Sequence, residues 1–498
     1  MEKNWSSQQN VIFDFFAERF ARKNLVVRAR AGCAKTTSII EGVGRASHED
    51  KVLLAAFGKK IATELQARVS AENVEVKTLH ALGFAYLRRQ SRNVRIDADV
   101  DYSRAGAVLG QEAPDDILRM VVKLAGLLKN MMPFEEDASK VEDLADEFDL
   151  APDEAWEEEG WTKAVVAAAA IKARDAAKEK DEQGRISFDD MIFIPLACNL
   201  VRPWYSMVVI DEAQDMNYAQ LLLAQRACKK DGRIVVVGDD RQAIYGFRGA
   251  DAGSLDRLKK ELGATELGLT TTYRCAKRVV EVAQRYVPDF KAGPGNPDGI
   301  VDHIADTAQL VKTAKAGDFI LSRANAPLMS ICLAFLKRGI AARIEGRDIA
   351  STLRGIVEGF KAKSVPNFLE RVEGWREKQI GRTKKIKKES VREAKLDTIN
   401  DQADMLAALA EGCVSVGEIS SRVTSLFGDS DGTLPQNAIV CSSVHRAKGL
   451  EADRVFVLED TIRDNTDEEA NIAYVAYTRA KFHLTLVGER RKPKKGGY

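Results

Sequence analysis

Short β-rich runs alternate with helical segments along the first third of the chain. The runs at 25–29 and 52–56 are separated by a loop and a helical segment, and another helix is predicted from about Lys60. Continuous apolar runs return at 207–210 and 234–237, which is typical of strands buried on both faces. This alternation predicts βαβ units built around a parallel sheet.

A second series of strands and helices is predicted to begin near Asp318 and to resume at 438–441, 455–458 and 484–487. Both series are interrupted by stretches of helical composition. We therefore predict an α/β fold of two parallel-sheet domains, each interrupted by a mainly helical insertion. The expected domains are residues 1–87 with 188–275 and residues 276–349 with 434–498, and the expected insertions are residues 88–187 and 350–433.

The two insertions differ in charge. Between Glu135 and Glu159 there are 13 acidic residues against the single Lys140, a pattern typical of a solvated helical face or loop. Between Arg376 and Lys395 there are nine basic and three acidic residues. This lysine-rich stretch fits either a solvated helix or a contact to a nucleic-acid backbone, and the sequence leaves both open.

Composition narrows the class of protein only slightly. The 498 residues include 75 Lys and Arg against 74 Asp and Glu, so the net charge of +1 favours no class of partner. Seven cysteines without a CxxC pair argue against a disulfide framework or a zinc cluster. The longest apolar run, 164–171, is shorter than the ~20 residues of a membrane span. We expect a cytoplasmic protein that does not associate with membranes.

The segment from Ala29 to Thr36, Ala-Arg-Ala-Gly-Cys-Ala-Lys-Thr, has the length and the ending of a phosphate-binding loop. In such loops backbone N–H groups face the phosphates, the lysine adds positive charge and the hydroxyl ligates Mg²⁺. Lys35 and Thr36 would have these last two roles. Ala29 and Ala34 stand where glycine is usual, and we expect nucleotide binding to survive the Ala34 methyl group provided that φ is negative there.

Two carboxylates follow the strand predicted at 207–210. Such a pair is costly at the end of a buried strand unless it serves a charged ligand. Asp211 is suited to hold Mg²⁺ through water, and Glu212 to orient and deprotonate an attacking water. Gln242 follows the next strand and is placed to sense a γ-phosphate. Together with the phosphate loop, these residues predict a Mg-ATP site.

Further motifs stand in a fixed order between residues 9 and 481. Outside the ATP site described above they are Gln9, Ala-Ala-Phe-Gly-Lys-Lys-Ile-Ala at 55–62, Thr-Leu-His-Ala-Leu at 78–82, the Gly-rich segment 237–249, Thr-Tyr-Arg-Cys at 272–275, Ile-Leu-Ser-Arg-Ala-Asn-Ala at 320–326, Ser-Val-His-Arg-Ala-Lys-Gly-Leu-Glu at 443–451 and Ala-Tyr-Val-Ala-Tyr-Thr-Arg-Ala-Lys at 473–481. The whole set resembles that of the UvrD/Rep group of superfamily-one helicases. The resemblance implies two RecA-like motor domains, with ATP and Mg²⁺ bound between them.

The resemblance also implies roles for individual residues. Gln9 would read adenine, Tyr273 would stack on it, and Glu451 would face the ribose. Arg274 and Arg479 would be arginine fingers on the γ-phosphate. The resemblance implies a nucleotide site made of Gln9, Ala31, Gly32, Cys33, Ala34, Lys35, Thr36, Thr37, Tyr273, Arg274, Glu451 and Arg479. The implied catalytic residues are Lys35, Thr36, Asp211, Glu212, Gln242, Arg274 and Arg479. The implied Mg²⁺ ligands are Thr36 and Asp211.

A binder that tolerates any base sequence needs backbone contacts and aromatic faces on which bases stack. Phe57, Tyr245 and Phe247 are the stacking candidates, and Phe247 stands where the family commonly has tryptophan. The candidates for the nucleic-acid backbone are Lys59, Thr78, His80, Arg248 and His445. The expected partners are single-stranded DNA and single/double-strand junctions, although the sequence decides only weakly between DNA and RNA.

The leading hypothesis is an ATP-driven DNA helicase that moves 3′ to 5′, and this polarity comes from the resemblance alone. One alternative is a single-strand translocase that strips bound proteins, favoured by the small second insertion. The other is a nucleic-acid-dependent ATPase switch without motor activity, disfavoured by the presence of both Arg274 and Arg479. Fewer than 20 residues follow Lys481, so we expect a compact motor, acting as a monomer, of a size that suits a phage or an accessory replication and repair helicase.

Overall fold

The computed structural model describes residues 5–17, 23–110, 112–179, 181–244, 254–384, 386, 389–427, 438–463 and 465–488. The strands are β1 Leu25–Ala29, β2 Val52–Ala56, β3 Val74–Thr78, β4 Arg95–Ile96, β5 Arg185–Ile186, β6 Tyr205–Ile210, β7 Cys228–Gly238, β8 Thr265–Leu269, β9 Thr271–Thr272, β10 Lys291–Ala292, β11 Ile300–Ile304, β12 Phe319–Ser322, β13 Ala342–Ile344, β14 Ile439–Ser443, β15 Ala452–Leu458 and β16 Ala480–Val487.

The α-helices cover both faces of the sheets and form most of the two insertions. They are α1 Ser7–Ala17, α2 Lys35–Arg45, α3 Lys59–Arg68, α4 Leu79–Gln90, α5 Val100–Leu109, α6 Asp115–Met131, α7 Ala138–Glu147, α8 Glu154–Glu158, α9 Lys163–Asp175, α10 Asp190–Ala197, α11 Tyr218–Ala227, α12 Ser254–Leu262, α13 Lys277–Ala283, α14 Thr307–Thr313, α15 Ala326–Lys337, α16 Arg347–Phe360, α17 Val365–Thr383, α18 Glu389–Ala410, α19 Val416–Phe427, α20 Val444–Ala447 and α21 Asp467–Tyr477.

The first sheet has six parallel strands in the order β3-β2-β6-β7-β1-β8. Its central strands are nearly continuous runs of buried apolar residues, as the sequence pattern predicted. The edge strands β3 and β8 escaped prediction because polar residues such as Glu75, Lys77 and Glu266 interrupt their apolar pattern. All strands run in the same direction, so the loops after them meet at one edge of the sheet.

The second sheet is also parallel, in the order β11-β16-β15-β12-β14-β13. Its first strand in the chain is β11, so the expectation that this series begins near Asp318 was wrong. Ile300 is exposed and Asp302 and His303 are polar, so this edge strand has no continuous apolar run. The two parallel sheets confirm the α/β fold class.

Both interruptions are mainly helical. The first contains α5 to α9 and a two-stranded pairing of β4 with β5, and its core includes Val121 and Leu128 of α6 packed with Val166 of α9. The second contains α16 to α19. The acidic and lysine-rich stretches approach each other where Lys395 Nζ lies 3.4 Å from Asp149 Oδ2. Among the described residues, no helix has the length and apolar character to cross a membrane.

Candidate active site

The loop after β1 turns sharply before α2 begins at Lys35. Gly32 has a φ of +65°, and a Cβ there would collide with the side chains of Arg274 and Thr272, so this position needs glycine. Ala34 has a φ of +60°. The expectation that its methyl group is accommodated at a negative φ was therefore wrong, because closing the loop onto the first turn of α2 forces a left-handed residue at this position.

We predict that Ala34→Gly stabilises the protein. The left-handed conformation costs an L-residue about 1–2 kcal/mol, so glycine should raise the free energy of unfolding by about 1 kcal/mol after its own entropy cost. Ala67→Gly in the exposed part of α3 is the control, and it should lower that free energy by about 1 kcal/mol. Chemical denaturation measures the free energy of unfolding of both variants. A change of the same sign in both would contradict the assignment of strain to Ala34.

The carboxylate pair follows β6 and faces the phosphate loop. Lys35 Nζ lies 2.7 Å from Glu212 Oε1. Burial alone would raise the pKa of Glu212, but Lys35 lowers it to about 2. Burial would likewise lower the pKa of Lys35, yet the charges of Glu212 and Asp211 raise it. Glu212 has a φ of +53°, an uncommon backbone conformation that concentrates at functional sites.

The residues expected to hold Mg²⁺ fit that ion. Burial raises the pKa of Asp211 and the charge of Glu212 adds to the rise, so a bound cation would stabilise the charged form of this carboxylate. Thr36 contributes a hydroxyl oxygen in the first turn of α2. Mg²⁺ prefers a few oxygen ligands together with substrate phosphates, and an aspartate and a threonine are such a set.

Gln242 connects the first sheet to the second half of the chain. It ends a 3-10 turn after β7, and its Nε2 donates a hydrogen bond of 2.6 Å to Asp239 Oδ2. Its Oε1 accepts a hydrogen bond of 3.4 Å from Arg479. The amide expected to sense the γ-phosphate thus already contacts one of the expected arginine fingers.

The two arginines lie close to each other, and Arg274 also lies against Gly32 of the phosphate loop. Arg274 Nε lies 2.6 Å from Glu451 Oε2, and the preceding Tyr273 donates its backbone N–H to the carbonyl of Gly32 at 2.8 Å. Arg479 is buried, and burial followed by the charge of Arg274 lowers its pKa to about 10. Two guanidinium groups that repel each other beside a phosphate loop form a site suited to an anion.

Three residues expected to contact the nucleotide have other partners in this structure. Gln9 is buried, and its Nε2 donates to Ser38 Oγ at 2.9 Å. Glu451 contacts Lys481 at 3.0 Å as well as Arg274. Arg68 donates to Thr37 Oγ1 at 3.1 Å. Their adenine, ribose and phosphate roles stay predictions, as does stacking by Tyr273, whose ring is exposed.

Two residues whose side chains join the two sheet domains were missed by sequence reasoning. Lys448 Nζ lies 2.6 Å from Asp215 Oδ1 and 2.6 Å from the carbonyl oxygen of Gln242. Tyr474 Oη accepts a hydrogen bond of 2.9 Å from the N–H of Ala31. Lys448 and Tyr474 both stand inside motifs that the sequence displayed. Their partners lie more than 200 residues away along the chain, and the sequence carries no signal for such a pairing.

Three of the candidate nucleic-acid contacts, Phe57, Lys59 and Thr78, lie at the same edge of the first sheet as the phosphate loop. Phe57 follows β2 and is exposed, and Lys59 is the first residue of α3. Thr78 ends the neighbouring strand β3 and caps α4, where its hydroxyl accepts a hydrogen bond of 3.1 Å from the N–H of Ala81. His445 lies on α20, directly after β14 of the second sheet. Tyr245, Phe247 and Arg248 lie outside the described residues.

An aromatic residue that sequence reasoning missed adjoins this set. The exposed ring of Phe188 stacks on His80 with ring centroids 4.0 Å apart and an interplanar angle of 24°. Burial lowers the pKa of His80 to about 4, so at neutral pH its ring is uncharged and offers a stacking face rather than a cation for phosphate. The only sign of Phe188 in the sequence is that an aromatic residue stands between the polar residues Ser187 and Asp189.

Comparison with known proteins places these features in a family. Residues 15–263, half of the chain, match the UvrD/REP helicase N-terminal domain, and residues 349–490 match the UvrD-like helicase C-terminal domain. DNA helicase II of Rickettsia typhi is 22% identical, over 94% of this chain and 90% of that protein.

Two further relatives are matched over a smaller part of their length. The ATP-dependent DNA helicase PcrA of Staphylococcus epidermidis is 24% identical over 57% of this chain, and DNA helicase II of Escherichia coli is 24% identical over 53%. The aligned parts are 40% and 38% of those two proteins. The domain matches and the order of the motifs confirm the resemblance, and the chain belongs to the UvrD/Rep helicase family.

Proposed function

We propose that this protein is a DNA helicase that moves 3′ to 5′ on single-stranded DNA and opens duplexes at single/double-strand junctions, driven by hydrolysis of Mg-ATP. Family membership supports DNA helicase activity. The proposal rests on the way in which two groups of residues come together. Lys35, Glu212 and Gln242 follow strands of the first sheet, and Arg274 and Arg479 come from the second half of the chain.

The ion pair of Lys35 and Glu212 suggests how ATP prepares its own hydrolysis. The phosphates of ATP compete with Glu212 for Lys35, and Glu212 then loses the cation that lowers its pKa. It becomes a stronger base, able to accept a proton from the water that attacks the γ-phosphorus as the bond to the bridging oxygen of ADP breaks. Mg²⁺ held by Thr36 and Asp211 would balance phosphate charge.

We infer that charge also couples hydrolysis to movement. Arg274 and Arg479 lie close to each other, and both would be attracted to a γ-phosphate bound beside Lys35 and Gln242 of the first sheet domain. When phosphate leaves, that attraction is lost, and the two sheet domains would separate. The candidate DNA contacts follow β2 and β3, beside the strands that position the ATP site, and His445 is three residues from Lys448. Opening and closing would therefore shift one set of DNA contacts relative to the other.

We predict that Phe188→Ala weakens binding of single-stranded DNA. A stacked base contributes about 1–3 kcal/mol, so the Kd should rise about 5- to 150-fold. Trp204→Ala is the matched control, because Trp204 is also an exposed aromatic residue but precedes β6 and so lies at the opposite edge of the sheet. Fluorescence anisotropy with a labelled oligonucleotide measures the affinity of both variants. Equal losses of affinity would show that Phe188 does not contact the DNA.

The proposed function is tested first by ATP hydrolysis with and without single-stranded DNA. We expect single strands to stimulate hydrolysis severalfold or more in the wild-type protein, and Lys35→Ala to abolish it, because the charge at the β- and γ-phosphates is lost. The Tm of Lys35→Ala, compared with that of the wild type, controls for folding. Hydrolysis that DNA does not change would contradict the proposal.

A further inference from the structure

Arg30 lies inside the phosphate loop, yet its side chain turns away from the phosphate site. Its guanidinium is 7% exposed and contacts three carboxylates. The shortest N–O distances are 3.2 Å to Asp239, 2.8 Å to Asp240 and 3.0 Å to Asp289. A planar guanidinium with five donors can bind several carboxylates at once, which a lysine cannot do. Arg30 is thus placed to hold acidic groups rather than nucleotide.

Asp239 connects this cluster to the γ-phosphate sensor. Its side chain is fully buried, with Oδ1 facing Arg30 and Oδ2 accepting the hydrogen bond of 2.6 Å from Gln242 Nε2. The other end of that amide accepts from Arg479. A continuous series of polar contacts therefore runs from Arg30 through Asp239 and Gln242 to an expected arginine finger.

The ionisation of Asp239 determines which way the Gln242 amide points. A carboxylate only accepts hydrogen bonds, so it must face the amide NH₂ and leave the carbonyl oxygen toward Arg479. A protonated Asp239 could donate instead, and the amide could turn over. Burial raises the pKa of Asp239, and Arg30, followed by Lys35, opposes that rise, whereas Asp240 adds to it. Without Arg30 the buried carboxylate would lose its nearest cation.

We propose that Arg30 is a positioning residue, which acts through Asp239 to hold Gln242 in the orientation that recognises the γ-phosphate. The inference rests on the proposed function, since it assigns a support to the same ATP site. It predicts that Arg30 matters for ATP and not for ADP, because ADP has no γ-phosphate.

The test is the ratio of the affinities for ATPγS and ADP, measured by equilibrium competition. Arg30→Met should lower this preference for ATPγS about tenfold, the lower end of the effect that losing an orienting partner has on metal ligands. Arg28→Met is the matched control. Arg28 lies two residues earlier and pairs with Asp240, Asp256 and Glu266, but it does not contact Asp239. The preference of Arg28→Met for ATPγS over ADP should equal that of the wild type.

Two further variants separate positioning from folding. Arg30→Met with Asp239→Leu removes both charges and the acceptor of the Gln242 amide, so it should restore the Tm if Arg30→Met alone is unstable, whereas the lost preference for ATPγS should persist. Adding Arg30→Met to Gln242→Ala should change the preference less than twofold, because the residue through which Arg30 acts is gone. The inference would be overturned if the first double variant regained the wild-type preference for ATPγS. It would also be overturned if Arg30→Met still lowered that preference tenfold in the Gln242→Ala background.

Failure of this inference differs from failure of the proposed function. If the wild-type protein shows no DNA-stimulated hydrolysis, the proposed function is wrong. If it shows such hydrolysis and Arg30→Met discriminates between ATPγS and ADP as well as the wild type does, only the role of Arg30 is rejected.

Discussion

Arg274→Ala should lower kcat for DNA-stimulated ATP hydrolysis by about 10³–10⁵-fold, the range that arginine fingers typically contribute. Arg274 follows Tyr273, whose N–H donates to the carbonyl of Gly32, so its backbone is fixed against the phosphate loop. The guanidinium is already partly buried beside Glu451. Steady-state hydrolysis measures the loss, and ADP affinity should change little because the finger acts on the γ-phosphate.

Lys481→Ala is the control for Arg274. Lys481 Nζ lies 3.0 Å from the same carboxylate, Glu451, so this variant loses the same charge without removing a finger. We expect its kcat to stay within about threefold of the wild type, since an exposed ion pair contributes only about 0–1 kcal/mol. An equal loss of kcat in both variants would show that the charge around Glu451, and not an arginine finger, controls hydrolysis.

Lys129→Ala should lower the free energy of unfolding by about 3–5 kcal/mol, the usual effect of removing one partner from a buried ion pair. Lys129 is 1% exposed, and its Nζ lies 2.7 Å from both Asp101 and Asp190. Asp190 also accepts a hydrogen bond of 2.9 Å from the N–H of Ser187. This cluster fixes the segment that carries Phe188, so DNA affinity should fall together with stability.

Lys140→Ala is the matched control within the same insertion. Lys140 and Glu135 form an ion pair of similar length, 2.9 Å, but the lysine is exposed to solvent. The expected loss of stability is much smaller than for Lys129→Ala, because water screens exposed pairs. Chemical denaturation of both variants gives the comparison. A loss for Lys129→Ala no larger than that of its control would contradict the stabilising role of the buried cluster.

The parts of the fold that the sequence predicted are those encoded locally. The central strands β1, β2 and β6 are runs of apolar residues because both of their faces are buried. The edge strands β3, β8 and β11 carry polar residues toward solvent, so they resemble loops in the sequence. Pairing with a neighbouring strand, which is a tertiary interaction, determines their conformation.

The same distinction holds for the site. Lys35, Asp211 and Glu212 were found because each stands directly after or near a predicted strand, and parallel strands bring those positions to one edge. The contacts of Lys448 with Asp215 and of Tyr474 with Ala31 join distant parts of the chain, and no local pattern indicates them. For Ala34, the residue type suggested a negative φ, but loop closure determined the opposite sign.

Strand separation on two partial duplexes that differ only in their single-stranded tail tests the proposed helicase most directly. The account predicts ATP-dependent unwinding of the 3′-tailed substrate alone, abolished in Lys35→Ala. Unwinding of the 5′-tailed substrate alone would contradict the polarity. Failure on both substrates, with hydrolysis still stimulated by single strands, would contradict the helicase itself and favour a translocase that strips proteins or an ATPase switch.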